Sequence, residues 1–250
     1  MRCSRVCRRW YLLISRNSHL WRRLYLRSDP NCVHSGAVHV RHLDGFLHAL
    51  ANRFQSALLY IDLPTEMITT EILRELANRC PNLEYLTLDF SSAMQLHDFN
   101  DLQEFPCNLK RLCICLSEVI FLESFMRRIY GFLSSLNILH IIGTLERTSN
   151  SSAEETDEYE TINISRLKMN APNLRVINFY GACFLDDSHI EAIASGCIHL
   201  ECLALNFCVK LIGTSLKNLT NRCRKLKCLL LQNTGEKKTN QSVSFSFHRR

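Results

Sequence analysis

Leu83-Glu84-Tyr85-Leu86-Thr87-Leu88 is the stretch that decides the fold, because its Leu-x-x-Leu-x-Leu spacing recurs along the chain. The same positions are held by Leu109-Leu112-Ile114, Leu136-Leu139-Ile141, Leu174-Ile177-Phe179, Leu200-Leu203-Leu205 and Leu226-Leu229-Leu231. Successive first positions lie 26, 27, 38, 26 and 26 residues apart, and an earlier copy, Leu58-Ile61-Leu63, begins 25 residues before Leu83. The alternation that closes each copy is the period of a strand with one buried side. A unit of this length cannot bury its apolar edge alone, so neighbouring units must stack around a shared core. Seven copies exceed the roughly three that such an array requires.

This spacing is that of a leucine-rich repeat. The expected fold class is therefore α/β, a curved leucine-rich-repeat solenoid with parallel strands on its concave face and helices outside, over residues 58–233. Helical faces follow the strands: Ile68, Ile72, Leu73, Leu76 and Ala77 before Cys80; Ile190, Ile193 and Ala194 before Cys197; Leu216 and Leu219 before Cys223. Asp186-Asp187-Ser188 has the composition of a helix start, with His189 and His199 in surface or capping positions. Leu43, Phe46, Leu47, Leu50 and Phe54 mark a helix ahead of the first copy, so 31–57 reads as a capping helix and connection. The long interval is explained by an acidic, Ser/Thr-rich insertion at 145–160, expected to project as a loop. Beyond Asn233 the period stops, and 234–250 reads as a disordered basic tail.

Composition excludes several classes. The chain has 250 residues, 46% of them hydrophobic and 22% charged, enough for a sizeable core. No apolar run reaches the roughly 18 residues of a membrane span. The apolar stretch that a signal peptide needs is broken by Arg8, Arg9, Arg16 and Arg22, so a cytoplasmic or nuclear residence is expected. Charge is segregated. Residues 1–27 hold eight Arg and no acid, and 236–250 are net +3, which against a total of +6 leaves the span between them net −5. An acidic array is a poor nucleic-acid surface, so none is expected as a partner.

Thirteen Cys is an odd number, and their positions follow the repeat. Cys80, Cys197 and Cys223 stand three residues before a first Leu, Cys107 stands two before, and Cys183 and Cys208 follow strands, so all read as small core residues. Cys113-x-Cys115 and Cys3-x3-Cys7 lack partners at zinc spacing, and no metal site is expected. No phosphate loop, nucleophile motif or acid–His pairing occurs beyond Asp186-Asp187 with His189, which the repeat explains as a helix start. The expectation is a non-catalytic protein without a cofactor.

The first thirty residues differ in character. Val6, Cys7, Trp10, Leu13, Ile14 and Asn17 recur at helical spacing, opposite an Arg-rich face, in a helix placed to cap the first repeat's open edge. Trp21, Leu24 and Leu26 then repeat the strand positions, so the solenoid can begin there. The run Val6-Cys7-Arg8-Arg9-Trp10-Tyr11-Leu12-Leu13-Ile14, followed by Leu20-Trp21-Arg22-Arg23-Leu24-Tyr25-Leu26, resembles the second half of an F-box, with both Trp in register. With the repeats behind it, the chain resembles the F-box and leucine-rich-repeat family over roughly residues 5–233. Residues 1–30 thus resemble the C-terminal half of an F-box. The Leu-Pro segment and two helices that open an F-box have no counterpart, since Met1 falls five residues before Val6. The resemblance implies a substrate-recognition subunit of an SCF-type cullin-RING ubiquitin ligase, which binds the adaptor subunit at one end and a target protein at the other. Val6, Trp10 and Tyr11 are the adaptor-binding candidates.

Period-two alternation sends the residues between the Leu positions to the concave face. Tyr85, Arg111, Ile138, His140, Val176, Tyr180 and Asn206 are the candidates there for binding a protein substrate. From Cys113 onwards that face is expected to be apolar, as an anchoring surface requires. The alternative is a repeat scaffold or truncated isoform that binds partners without assembling into a ligase.

Overall fold

The inward residues of the repeated stretch align as continuous buried rows. The computed structural model describes residues 6–26, 45–90, 99–116, 122–143, 162–234 and 242–246. The Trp21 segment contributes β1 (Arg23–Tyr25) and each of the seven copies one strand: β2 (Tyr60–Pro64), β3 (Tyr85–Phe90), β4 (Arg111–Leu116), β5 (Ile138–Gly143), β6 (Val176–Tyr180), β7 (Cys202–Asn206) and β8 (Cys228–Gln232). They lie in chain order in one sheet, and β1 to β8 run parallel. The row Ile61, Leu86, Leu112, Leu139, Ile177, Leu203 and Leu229 is in direct register and fully buried. The molecule is an α/β solenoid.

The first Leu of each copy sits in a turn that aims the strand. The amides of Leu58, Leu83, Leu136, Leu174, Leu200 and Leu226 each donate to the carbonyl three residues earlier. That earlier position is buried in Cys80, Pro106, Leu133, Ala171, Cys197 and Cys223. Cys107 and Cys183 are one residue out of step with it and with its counterpart after the strand, which Ala182 and Cys208 fill. Both are exposed, which corrects their reading as core residues. Burial pushes the Cys80 thiol up to about 12, so it is an inert filler.

Parallel strands need crossovers, and helices supply most of them. These are α2 (Thr70–Arg79), α3 (Leu122–Ile129), α4 (Ile164–Asn170), α5 (Asp187–Gly196) and α6 (Leu216–Arg222), after α1 (Arg8–Arg16) at the start. Their inward side chains, including Ile72, Leu76, Phe125, Leu167, Ile193 and Leu219, join one cluster with the strand rows. Caps fix their starts: Thr69 accepts from the Ile72 amide at 3.2 Å, Asn163 from the Arg166 amide at 2.9 Å. Asp186 accepts from the Ser188 and His189 amides, and its own amide donates to His189 Nδ1 at 3.5 Å in a capping box. Ahead of β2 the expected helix is present at 45–49 but loosens into a π turn (Leu50–Phe54) and a 3-10 turn (Gln55–Ala57).

Three expectations are corrected. Between β3 and β4 the described residues 99–110 form turns rather than a helix. Aromatic packing holds this stretch, with the Phe99 and Phe125 rings 4.9 Å apart and Phe90 edge-on to both. Within the tail, residues Ser242–Ser246 form β9, which pairs antiparallel with β8. Backbone pairing needs no side-chain period, and an edge strand presents open N–H and C=O groups that such a segment satisfies. The third is α1, whose apolar residues do not cover the first repeat: only Ile14 packs against the core. The acidic insertion at 145–160 and residues 31–44 lie outside the described residues.

Two backbone details hold adjacent repeats in register. A Cβ on Gly143 would stand 2.6 Å from the Gly181 carbonyl oxygen, so only glycine admits the turn after β6. Asp187, in the first turn of α5, reaches into the next repeat. It accepts from the amides of Ile212, Gly213 and Ser215 and from the hydroxyls of Thr214 and Ser215, at 2.7 to 3.2 Å. Gly213 has φ +94°, a left-handed conformation that lets successive amides converge on one carboxylate.

Burial raises the Asp187 carboxyl, but the Ser215 and Ile212 amides and the two hydroxyls outweigh it and hold the group far below the usual carboxylate range. A depressed folded-state value means the stabilisation is complete above the unfolded value of about 3.9 and is lost as pH falls through the folded one. Asp187→Asn is therefore expected to cost about 2 kcal/mol at neutral pH. Thermal midpoints should converge for the two proteins as the pH is lowered below about 4.

Candidate partner-binding face

The sheet has helices on one side, and its other side carries the residues between the Leu positions. Register sorts them into three rows about 4.8 Å apart from strand to strand. One runs Arg23, Tyr60, Tyr85, Arg111, Ile138, Val176, Cys202 and Cys228. The next runs Tyr25, Asp62, Thr87, Cys113, His140, Asn178, Ala204 and Leu230. The third holds Pro64, Asp89, Cys115, Ile142, Tyr180, Asn206 and Gln232. Most of these side chains are half-buried by their neighbours, and Arg23, Tyr25, Arg111, Tyr180, Leu230 and Gln232 are exposed.

All seven candidates for this face are brought together. Tyr85, Arg111, Ile138 and Val176 are consecutive neighbours in one row. Tyr180 and Asn206 adjoin in another, and His140 lies between, its Nδ1 3.2 Å from Asn178 Nδ2. Burial first, and then the Arg111 charge, lower the His140 ring below its ordinary value, so it is neutral at neutral pH. From β5 to β8 the rows carry no formal charge: Ile138, Ile142, Val176 and Leu230 supply apolar area, and Asn178, Asn206 and Gln232 supply amides. Among the described residues the buried Asn178 Oδ1 atom has no hydrogen-bond partner, an acceptor that a bound group would satisfy.

One feature of this face escapes the period count. Phe207 follows β7 with φ +56°, which turns its ring to 5.2 Å from Tyr180 and widens the aromatic surface. A non-glycine residue in that conformation leaves no pattern in the sequence. Arg23 and Tyr25 occupy the positions between Trp21, Leu24 and Leu26, so their place in the rows was readable; Tyr25 lies 5.0 Å from the Tyr60 ring.

The other three candidates belong to a separate surface. Val6 is 69% exposed, Trp10 51% and Tyr11 45%, with Leu12 and Leu13 also exposed. Trp21, by contrast, is 5% exposed and donates through Nε1 to the Ile14 carbonyl at 3.1 Å, tying α1 to the core at its end. An open groove beside α1 is lined by Arg8, Arg9, Leu12, Leu13, Arg16, Asn17, Ser18 and His19. Little local stabilisation holds this helix: Cys7 makes no side-chain cap and the first turn has no acid. An amphipathic helix with its apolar side in water is suited to being covered by a partner.

Residues 1–27 match the model of the F-box-like family, so the chain carries an F-box-like domain at its start. A chain of the crystal structure of the Rad7 and Elc1 complex in yeast is similar in structure, with a TM-score of 0.48 and 19% sequence identity. The likeness covers 74% of this chain and 46% of that one, so the present sequence spans about half the length of its structural neighbour.

Proposed function

We propose that this chain is an F-box and leucine-rich-repeat protein acting as the substrate-recognition subunit of an SCF-type ubiquitin ligase. Its α1 segment docks on the adaptor, and its open face holds a target protein for ubiquitination and proteasomal degradation. The observation that carries this reading is the junction at β1. The F-box-like match ends in a strand that pairs in register with β2, with Leu24 opposite Ile61, so the docking element and the binding face belong to one sheet. A rigid link of this kind fixes the distance from target to conjugating enzyme, and transfer gains from proximity without chemistry from this chain.

Co-purification of the full chain with the adaptor subunit tests the proposal. Binding is expected in the wild type, and Val6→Asp with Trp10→Ala should weaken it about 30-fold or more, the loss of one interface anchor worth about 2 kcal/mol. A chain that folds, shows its open face intact and still fails to retain the adaptor is a scaffold instead.

A further inference from the structure

The open face carries two thiols in contact. Cys202 on β7 and Cys228 on β8 hold the same position of consecutive repeats and are direct register partners. Their Cα atoms are therefore one strand spacing apart, about 4.8 Å, within the window of roughly 4.4 to 6.8 Å that a disulfide requires. Both side chains leave the sheet on the same side, both are half-buried, and the Cys228 thiol is close enough to hydrogen-bond Cys202.

The other described cysteines lack one of these conditions. Cys197 and Cys223 also recur between the same two repeats, but both are buried, and the Cys223 sulfur donates to the Ala194 and Cys197 carbonyls at 3.9 and 3.6 Å. Cys107 and Cys183 are exposed but have no register partner that is a cysteine. Cys113 and Cys115 share one strand, about 6.7 Å apart along it, at the limit of the window.

We propose that Cys202 and Cys228 form a peroxide-oxidisable dithiol that closes to a disulfide joining β7 to β8. One of the two sulfurs, as thiolate, attacks one oxygen of hydrogen peroxide; the O–O bond breaks, hydroxide departs, and that cysteine carries a sulfenic acid. The other sulfur then attacks it; the S–S bond forms, the S–O bond breaks, and the oxygen leaves as water with the second thiol's proton. Two electrons pass from the sulfurs to peroxide, which is reduced to water. Burial, then the hydrogen bond and charge of the Cys228 thiol, raise the Cys202 thiol above its ordinary value, as expected for two sulfurs in contact. The inference rests on the register of β7 with β8 and is independent of what the face binds.

The test uses the full chain, reduced, freed of reductant and treated with hydrogen peroxide, then alkylated, digested with trypsin and read by mass spectrometry. The expected product links the peptide of residues 176–210 to that of 228–237 with loss of two hydrogens, and dithiothreitol reverses it. Cys202→Ser should abolish that product, whereas Cys197→Ser, Cys183→Ser and Cys208→Ser, which alter the same long peptide, should leave it. Phenylarsine oxide, which needs two adjacent thiols, should bind the reduced wild type and lose one equivalent in Cys202→Ser and in Cys228→Ala. Recovery of Cys228 as an alkylated thiol under conditions that oxidise Cys107 and Cys183 overturns the proposal, as does its linkage to any other cysteine.

Discussion

Leu139→Ala is expected to lower the unfolding free energy by about 3 to 4 kcal/mol, the middle of the range for a fully buried leucine. Leu139 lies at the centre of the sheet, between Leu112 and Ile177 in the inward row, with no exposed surface. Its flanking units are held on each side by a single nearest neighbour, so the cavity weakens the coupling of β1–β4 to β6–β8 as well as the local packing. Chemical denaturation reads the loss as a lower midpoint, and a broadened or two-step transition would show the coupling directly. Ile138, one residue earlier, faces the open side, and Ile138→Lys should shift stability by no more than about 0.5 kcal/mol. Equal costs at 138 and 139 would mean that the helices cover both sides of the sheet.

Replacing Ile138, Val176 and Tyr180 together with charged residues is the largest change expected in binding. Ile138 and Val176 are register partners, and Tyr180 lies four residues after Val176, at the end of β6 beside Phe207. The three fall on the uncharged part of the face, where a partner's apolar groups would desolvate each introduced charge. Anchors of this kind contribute about 1 to 2 kcal/mol each, so the triple variant should lose on the order of 1000-fold in affinity for the target. Proteins held in cells by the wild type should be lost, while the adaptor stays bound to α1. Retention of both sets of partners would place the target site elsewhere on the chain.

The strands and both faces of the sheet were legible because each of the seven copies states the same alternation, and a one-residue error would have put Leu86, Leu112 and Leu139 in water together. That redundancy carried the seven face candidates to within one surface. It failed where a feature occurs once. The turns of residues 99–110, held by Phe90, Phe99, Phe105 and Phe125, depend on contacts between crossovers that no local spacing encodes. Pairing of β9 is set by backbone groups of β8, whatever the tail's composition. Cys107 and Cys183 show how narrow the repeat's tolerance is: a shift of a single position moves a thiol from the core to the surface. The reach of Asp187 into the 212–215 loop was hidden for the opposite reason, because a helix-start aspartate has a sufficient local explanation that conceals its second role.

Hydrogen–deuterium exchange on the full chain, alone and with saturating adaptor, measures the two-surface arrangement most directly. Alone, α1 should exchange quickly while β2–β8 are protected, since the helix has no side-chain N-cap and leaves its apolar side in water. With adaptor, protection should appear across Arg8–Arg16 and leave the strands of the open face unchanged. An α1 that remains as labile as before, or protection that arises over β5–β8 instead, would contradict it.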